Sequence, residues 1–130
     1  MKKAFDFLKT CGVFYLATVE KDQPRVRPFG AVCLFENRLY IITNNKKDVY
    51  AQLCANPKLE LSGMAGGKWI RIAAEAVRDD RRAARTAMLE DNPSLRELYH
   101  EDDGLMEVLY LKNAQASICS FTEAPERWNF

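Results

Sequence analysis

Histidine is almost missing from this chain of 130 residues: there is one, His100, beside 19 Lys plus Arg and 18 Asp plus Glu. One histidine cannot build a histidine metal site, nor can it partner a nearby Ser or Cys in a conventional triad. No C-x-x-C pair occurs among Cys11, Cys33, Cys54 and Cys119. Their mostly apolar neighbours predict reduced, mainly buried thiols in a cytoplasmic protein, with no metal or redox role. G-x-G-x-x-G, the P-loop and G-x-S-x-G are absent as well, so the sequence offers no dinucleotide fingerprint, no phosphate-cradling P-loop and no nucleophile elbow. Any chemistry done here falls to a cofactor.

Charge of one sign is also lacking. The net charge is +1, which argues against nucleic-acid binding driven by counterion release. An anion recognised by this chain must be met by a local cluster. No apolar run reaches transmembrane length. Asp6 and Lys9 interrupt the first ten residues, which therefore do not read as a signal peptide. Hydrophobic residues make up 48% and charged residues 28%. That balance suits a single soluble globular domain spanning residues 1–130, with neither repeats nor linkers. His100, beside Glu101, Asp102 and Asp103, reads as a solvated loop residue.

What is present alternates in short blocks. Met1 to Thr10 predicts an amphipathic helix with Phe5, Leu8 and Ala4 inward, ended by Gly12. Val13 to Val19 reads as a strand buried on both faces. Arg25 to Phe35 follows as a second strand, and a turn at Glu36-Asn37 leads into a third, Arg38 to Thr43. Short connections predict an antiparallel meander for these three. Asn44 or Asn45 is placed to cap a helix to Ala55, with Val49 and Leu53 inward, and Asn56-Pro57 stops it. Lys58 to Met64 and Lys68 to Val77 read as strands about a Gly66-Gly67 turn. In the second of these, Ile70, Ile72, Ala74 and Ala76 share one face, opposite Trp69, Arg71 and Glu75. Asp79 or Asp80 would cap a charged helix to Leu89, and Asn92-Pro93 would open a short one to Tyr99. Leu105 to Lys112 and Ala114 to Phe121 complete the strands, and the tail from Thr122 reads as irregular. The fold class is mainly β: a six- to seven-stranded antiparallel split barrel of Greek-key type, with short flanking helices.

Three segments carry the chemistry. Arg25 and Arg27 share a strand face, Pro28 then removes a ladder donor, and Gly30 removes a side chain. Such a strand is an edge, or one opened for a ligand. Thr43-Asn44-Asn45-Lys46-Lys47 lies where a strand ends and a helix begins. Two lysines in a first turn oppose the helix dipole by roughly 0.3–1 kcal/mol each, and a bound phosphate would reverse that penalty. Trp69 and Arg71 form an aromatic and cationic pair suited to a partner surface or a ring system. The aromatic tail, Trp128 and Phe130, reads as interface packing.

Phe14-Tyr15-Leu16-Ala17-Thr18, Gln23-Pro24-Arg25-Val26-Arg27-Pro28 and Leu39 through Lys47, continued by Leu53, Asn56-Pro57 and Trp69-Ile70-Arg71-Ile72, resemble the pyridoxamine 5′-phosphate oxidase-like, FMN-binding split-barrel superfamily. The resemblance covers nearly the whole chain, and it lies in the ordered set more than in any one motif. It implies FMN as cofactor and a homodimer with the flavin at the subunit interface. Arg25, Arg27, Pro28 and Phe29 would line the flavin, with Arg27 reaching the phosphate or polar atoms of the ring. Thr43, Asn44, Lys46 and Lys47 would hold its phosphate. Trp69 and Arg71 would approach it, from the partner chain in one arrangement. No side chain needs to act as acid or base; Arg27 or Arg71 would stabilise the reduced flavin. The function implied is that of an oxidoreductase passing hydride or electrons from a nicotinamide or other reductant to a small acceptor. The alternatives are a non-catalytic flavin- or haem-binding or sensing module and a deazaflavin-dependent reductase. The Arg-x-His-x-Arg substrate motif of the named oxidases is absent, so the vitamin B6 reaction is not implied.

Overall fold

The structure, a computed structural model, describes residues 1–130. Its elements in chain order are α1 Lys2–Cys11, β1 Phe14–Glu20, β2 Gln23–Phe29, β3 Val32–Phe35, β4 Arg38–Asn44, α2 Asp48–Ala55, β5 Lys58–Ala65, β6 Lys68–Arg78 and α3 Arg82–Asp91. A 3₁₀ turn, Pro93–Glu97, then precedes β7 Met106–Cys119 and β8 Glu126–Asn129. All strand pairs are antiparallel. The order across the sheet is β2-β1-β5-β6-β7-β4-β3, with β8 added to β7.

The sheet's two edges, β2 and β3, are consecutive in the chain. Only Gly30 and Ala31 separate them. Three Cα steps span at most about 11 Å, so the sheet must curl until its edges approach. No ladder joins β2 to β3, and the barrel stays split. The expected fold class therefore holds, with two corrections to its start. The run Arg25 to Phe35 is two strands on opposite edges, and the meander is two hairpins, β1–β2 and β3–β4. Pro28 still pairs with Tyr15 but has no N–H to donate, which suits β2 to an edge, and the ladder ends at Phe29, just before Gly30.

The interior is apolar. Phe14 and Leu16 of β1, Leu61 of β5 and Ile70 and Ile72 of β6 are essentially sealed from solvent. Helix α1 closes one end with Ala4 and Leu8, as its periodicity requires. Its approach depends on Gly63, where a Cβ would meet the Cys11 sulfur at 3.0 Å. A second cluster lies outside the wall, where Ala84, Met88 and Leu89 of α3 cover Cys33, Tyr40 and Val108. Of the thiols only Cys33 is buried, and burial pushes it up to about 12; Cys54 is exposed and Cys11 and Cys119 are half-buried, all unbridged.

Other expectations are corrected here. β1 is buried on one face alone: Tyr15 and Val19 lie open beside Val26 of β2 and Met64 of β5. The two C-terminal strands are one, β7, which continues through Asn113 at positive φ opposite a register shift at Ala73/Glu75 in β6. The tail is not irregular, because Glu126 to Asn129 pair with β7 and Phe130 exchanges backbone hydrogen bonds with Ala114. Trp128 and Phe130 pack on the chain's own core. With the two C-terminal strands merged, the split and the tail bring the strands to eight.

Neither expected aspartate caps α3, whose N-cap position is Arg81 without a side-chain hydrogen bond. Asp79, 8% exposed, is bound elsewhere. It accepts hydrogen bonds from the Tyr40 hydroxyl (2.7 Å), the Arg81 backbone N–H (3.1 Å) and the Arg81 guanidinium (2.8 Å and 3.0 Å). Arg81 also forks onto Glu36. The cluster ties β4, the end of β6 and the β3–β4 turn together. Arg81 holds the Asp79 carboxyl well below its usual 3.8, against the opposing effect of burial. A depressed carboxylate contributes stability that is full above its unfolded pKa and is lost as pH falls below it. Denaturant midpoints should therefore drop from about pH 4 downward, and Asp79→Asn should make that acid limb shallower.

Candidate functional site

The gap between the edges is a cleft of about 300 Å³, at the lower end of the range for small-molecule sites. Its near wall is the break itself, Arg27 to Ala31. Ile42 and Thr43 at the end of β4, with Lys47 and Val49 at the start of α2, form the floor. Leu95, Leu98 and Tyr99, in and just after the 3₁₀ turn, form the far wall. A second hollow of about 550 Å³ adjoins it through Arg27, Pro28, Lys47 and Val49 and extends to Arg25, Asp48 and Gln52.

The β1–β2 register explains which arginine serves the cleft. Arg27 stands opposite Leu16, and Arg25 opposite Thr18, so both share the inward face of an edge strand. Arg25 turns out to solvent and pairs with Glu20 at 3.0 Å, both half-exposed. Such a pair contributes little. Arg27 turns in. Its guanidinium donates to the Leu16 carbonyl (3.1 Å), the Thr18 hydroxyl (2.8 Å) and the Gln52 side-chain oxygen (2.5 Å). No carboxylate pairs with it, whereas Arg71, Arg78, Arg81, Arg82, Arg85 and Arg96 all have one. Burial lowers the Arg27 pKa, the Asp48 charge raises it and Arg25 lowers it further; an arginine stays charged throughout.

The start of α2 differs from its expected form. Neither Asn44 nor Asn45 caps it. Asn44 Oδ1 accepts the Lys46 N–H (3.0 Å) and Asn44 Nδ2 donates to the Tyr99 hydroxyl (2.8 Å). Asn45 is tied to Gly104 and Leu105. The N-cap position falls on Lys47, with no side-chain cap, and the Asp48 and Val49 N–H groups find no acceptor. Beside them Thr43 Oγ1 is buried without a hydrogen-bond partner. Unmet donors at a helix N-terminus, a cation at the N-cap position and an orphan hydroxyl together fit an anion.

Of the residues singled out from sequence, Arg27, Pro28, Phe29, Thr43 and Lys47 line the cleft directly. Asn44 touches it through Tyr99. Arg25 borders the outer hollow alone, and Lys46 borders neither. Trp69 and Arg71 lie elsewhere. They sit on the outer face of β6, Trp69 against Phe121 at 5.1 Å and Arg71 paired with Glu60 at 2.7 Å, and one chain alone does not bring them to the cleft. Sequence reading missed Thr18 and Gln52, which grip Arg27, and the wall of Leu95, Leu98 and Tyr99. A glutamine in an otherwise apolar helix face beside Val49 and Leu53 was the available signal.

Residues 1–116 match the pyridoxamine 5′-phosphate oxidase family. The chain is 50% identical to a NimC/NimA family protein from Clostridium acetobutylicum, over 100% of this chain and 92% of that one, with a TM-score of 0.97. A pyridoxamine 5′-phosphate oxidase-related, FMN binding protein from Nostoc punctiforme is 17% identical over 98% of this chain and 88% of that one, with a TM-score of 0.72. A heme binding protein from Mycobacterium smegmatis is 16% identical over 94% of this chain and 56% of that one, with a TM-score of 0.75. The last two share the fold. No curated relative matches significantly.

The orphan hydroxyl makes a test of the cleft without any ligand. Removing an unsatisfied buried hydroxyl relieves a desolvation penalty of roughly 1–3 kcal/mol. Thr43→Val should therefore leave the ligand-free protein as stable or more stable, read as its denaturation midpoint. A marked loss of stability would mean that the hydroxyl is satisfied within the chain.

Proposed function

Because the chain belongs to the pyridoxamine 5′-phosphate oxidase family, we propose that it is an FMN-binding oxidoreductase acting as a cytoplasmic homodimer. The observation that carries this reading is the anion-ready end of the cleft. There Thr43, with its orphan Oγ1, Lys47, Val49 and Arg27, an arginine without a carboxylate partner, line one cleft, with Asp48 in the adjoining hollow. These groups would hold the flavin phosphate. Pro28, Phe29 and Gly30, with no strand beyond them, would leave room for the ring. Bound FMN would supply hydride or electron transfer between a reductant such as a nicotinamide and a small acceptor. The protein's part is then to bind, orient and exclude water, since the cleft lining holds no carboxylate, histidine or thiol. The same lining disfavours haem, for which Tyr99 would be the one iron ligand available.

The dimer is supported by the outer sheet face. Tyr15 (55% exposed), Val26 (68%) and Met64 (65%) stand on it with Trp69 and Arg71. A second copy of that face would cover them, and would give Trp69 and Arg71 a route to the partner's cleft. No helix is long and apolar enough to cross a membrane.

The direct experiment is an absorbance spectrum of the purified protein, with mass identification of what denaturation releases. The expected result is FMN. A colourless protein whose thermal midpoint ignores added FMN overturns the proposal, and a deazaflavin in the released fraction replaces the cofactor. Anaerobic NADH or NADPH should bleach the flavin of an enzyme and leave that of a binding module unchanged. Lys47→Ala should weaken FMN binding by about 1.5–3 kcal/mol, the value of a charge-assisted contact, while Lys46→Ala should change it little.

Sedimentation of the wild type should give a dimer. Val26→Asp, which buries a charge in the proposed interface, should shift it to monomer.

A further inference from the structure

Arg27 is the one cation of the cleft fixed by a network, and each of its direct acceptors is uncharged. Its three acceptors are a backbone carbonyl, a hydroxyl and an amide oxygen. The amide belongs to Gln52, on the inner face of α2 and 6% exposed. Gln52 Oε1 also accepts the Thr18 hydroxyl at 2.5 Å, and Thr18 is itself buried. One oxygen thus anchors both the guanidinium and the hydroxyl that supports it. The Gln52 amide nitrogen points toward Glu20 at 3.5 Å. That carboxylate stands at the end of the network, paired with Arg25, and does not reach Arg27.

We infer that Gln52 is the positioning residue that aims Arg27 at the ligand's anionic group, and that its neutrality keeps the arginine's charge available to that group. The inference rests on the FMN reading above and says which part of the ligand Arg27 serves: the phosphate rather than the ring. A carboxylate at position 52 would make a better partner for Arg27 in isolation, but it would neutralise the guanidinium and repel a phosphate. A glutamine has the same shape, accepts the same hydrogen bonds and adds no countercharge beyond that of nearby Asp48. Thr18 completes the clamp by setting the second guanidinium nitrogen. Long arginine side chains lose much rotamer freedom on binding, so an arginine already held in place loses little more when the anion arrives.

The test compares FMN with riboflavin, which has the same ring and no phosphate, by flavin fluorescence quenching on the folded, flavin-free protein. Gln52→Glu should raise the FMN dissociation constant tenfold or more, about 1.4 kcal/mol or above, and leave riboflavin binding nearly unchanged. Gln52→Met, which removes the anchor without adding charge, should weaken FMN by a smaller factor, again sparing riboflavin. Should Gln52→Glu fail to fold, Gln52→Met and Thr18→Val carry the same comparison. Equal loss for both flavins in a folded variant would assign Gln52 to packing and overturn the inference, as would unchanged FMN affinity. A wild-type protein that binds neither flavin would overturn the FMN reading itself, and this inference with it.

Discussion

Strands β2 and β3 are joined by two residues yet lie at opposite edges of the sheet. A connection that short forces the sheet to curl, while Pro28 and Gly30 prevent the edges from zipping together. The cleft is what remains between those demands. Arg27 can reach into it because β2 has no neighbour on that side. Thr43 opens into it because β4 ends there, and α2 begins at its floor. Were the edges paired, the same residues would lie along an ordinary closed wall.

The distribution of charge follows from the same geometry. Most arginines away from the cleft are matched with carboxylates, as in Arg82 with Asp102 and Arg96 with Glu101. At the cleft the matching stops. Lys47 occupies the N-cap position of a helix whose dipole disfavours it, and Arg27 is held by neutral oxygens alone. Local choices that disagree with local stability mark places where function is weighed against folding. The Asp79 cluster shows the opposite policy: there a buried carboxylate receives a full set of donors, and it serves to hold β4 to the end of β6.

Much was legible from local pattern. The period of Ala4 and Leu8 marked α1, Gly66-Gly67 marked the β5–β6 hairpin, and Ile70, Ile72, Ala74 and Ala76 marked the buried face of β6. The disturbance at Pro28 and Gly30 was also visible, and so was the cationic run at Lys46 and Lys47. What pattern could not supply was partners. Arg25 to Phe35 reads as one strand because no turn run interrupts it, and the pairing of Val32 with Ile41 in place of any β2 residue shows that it divides at Gly30. The β7 strand reads as two because Asn113 looks like a turn; long pairing with β6 carries the chain through it.

The sequence by itself determined the fold class, the places where strands break and helices start, and the inventory of cations near them. These are properties of short windows, set by φ preferences, periodicity and missing donors. Tertiary structure alone decided that Lys47 and not Lys46 faces the cleft, and that Arg27 turns inward while Arg25 pairs with Glu20. It also decided that Gln52, 25 residues from Arg27, supplies its anchor. Those outcomes depend on which surfaces the curled sheet brings within hydrogen-bond reach, and no window of sequence contains that distance.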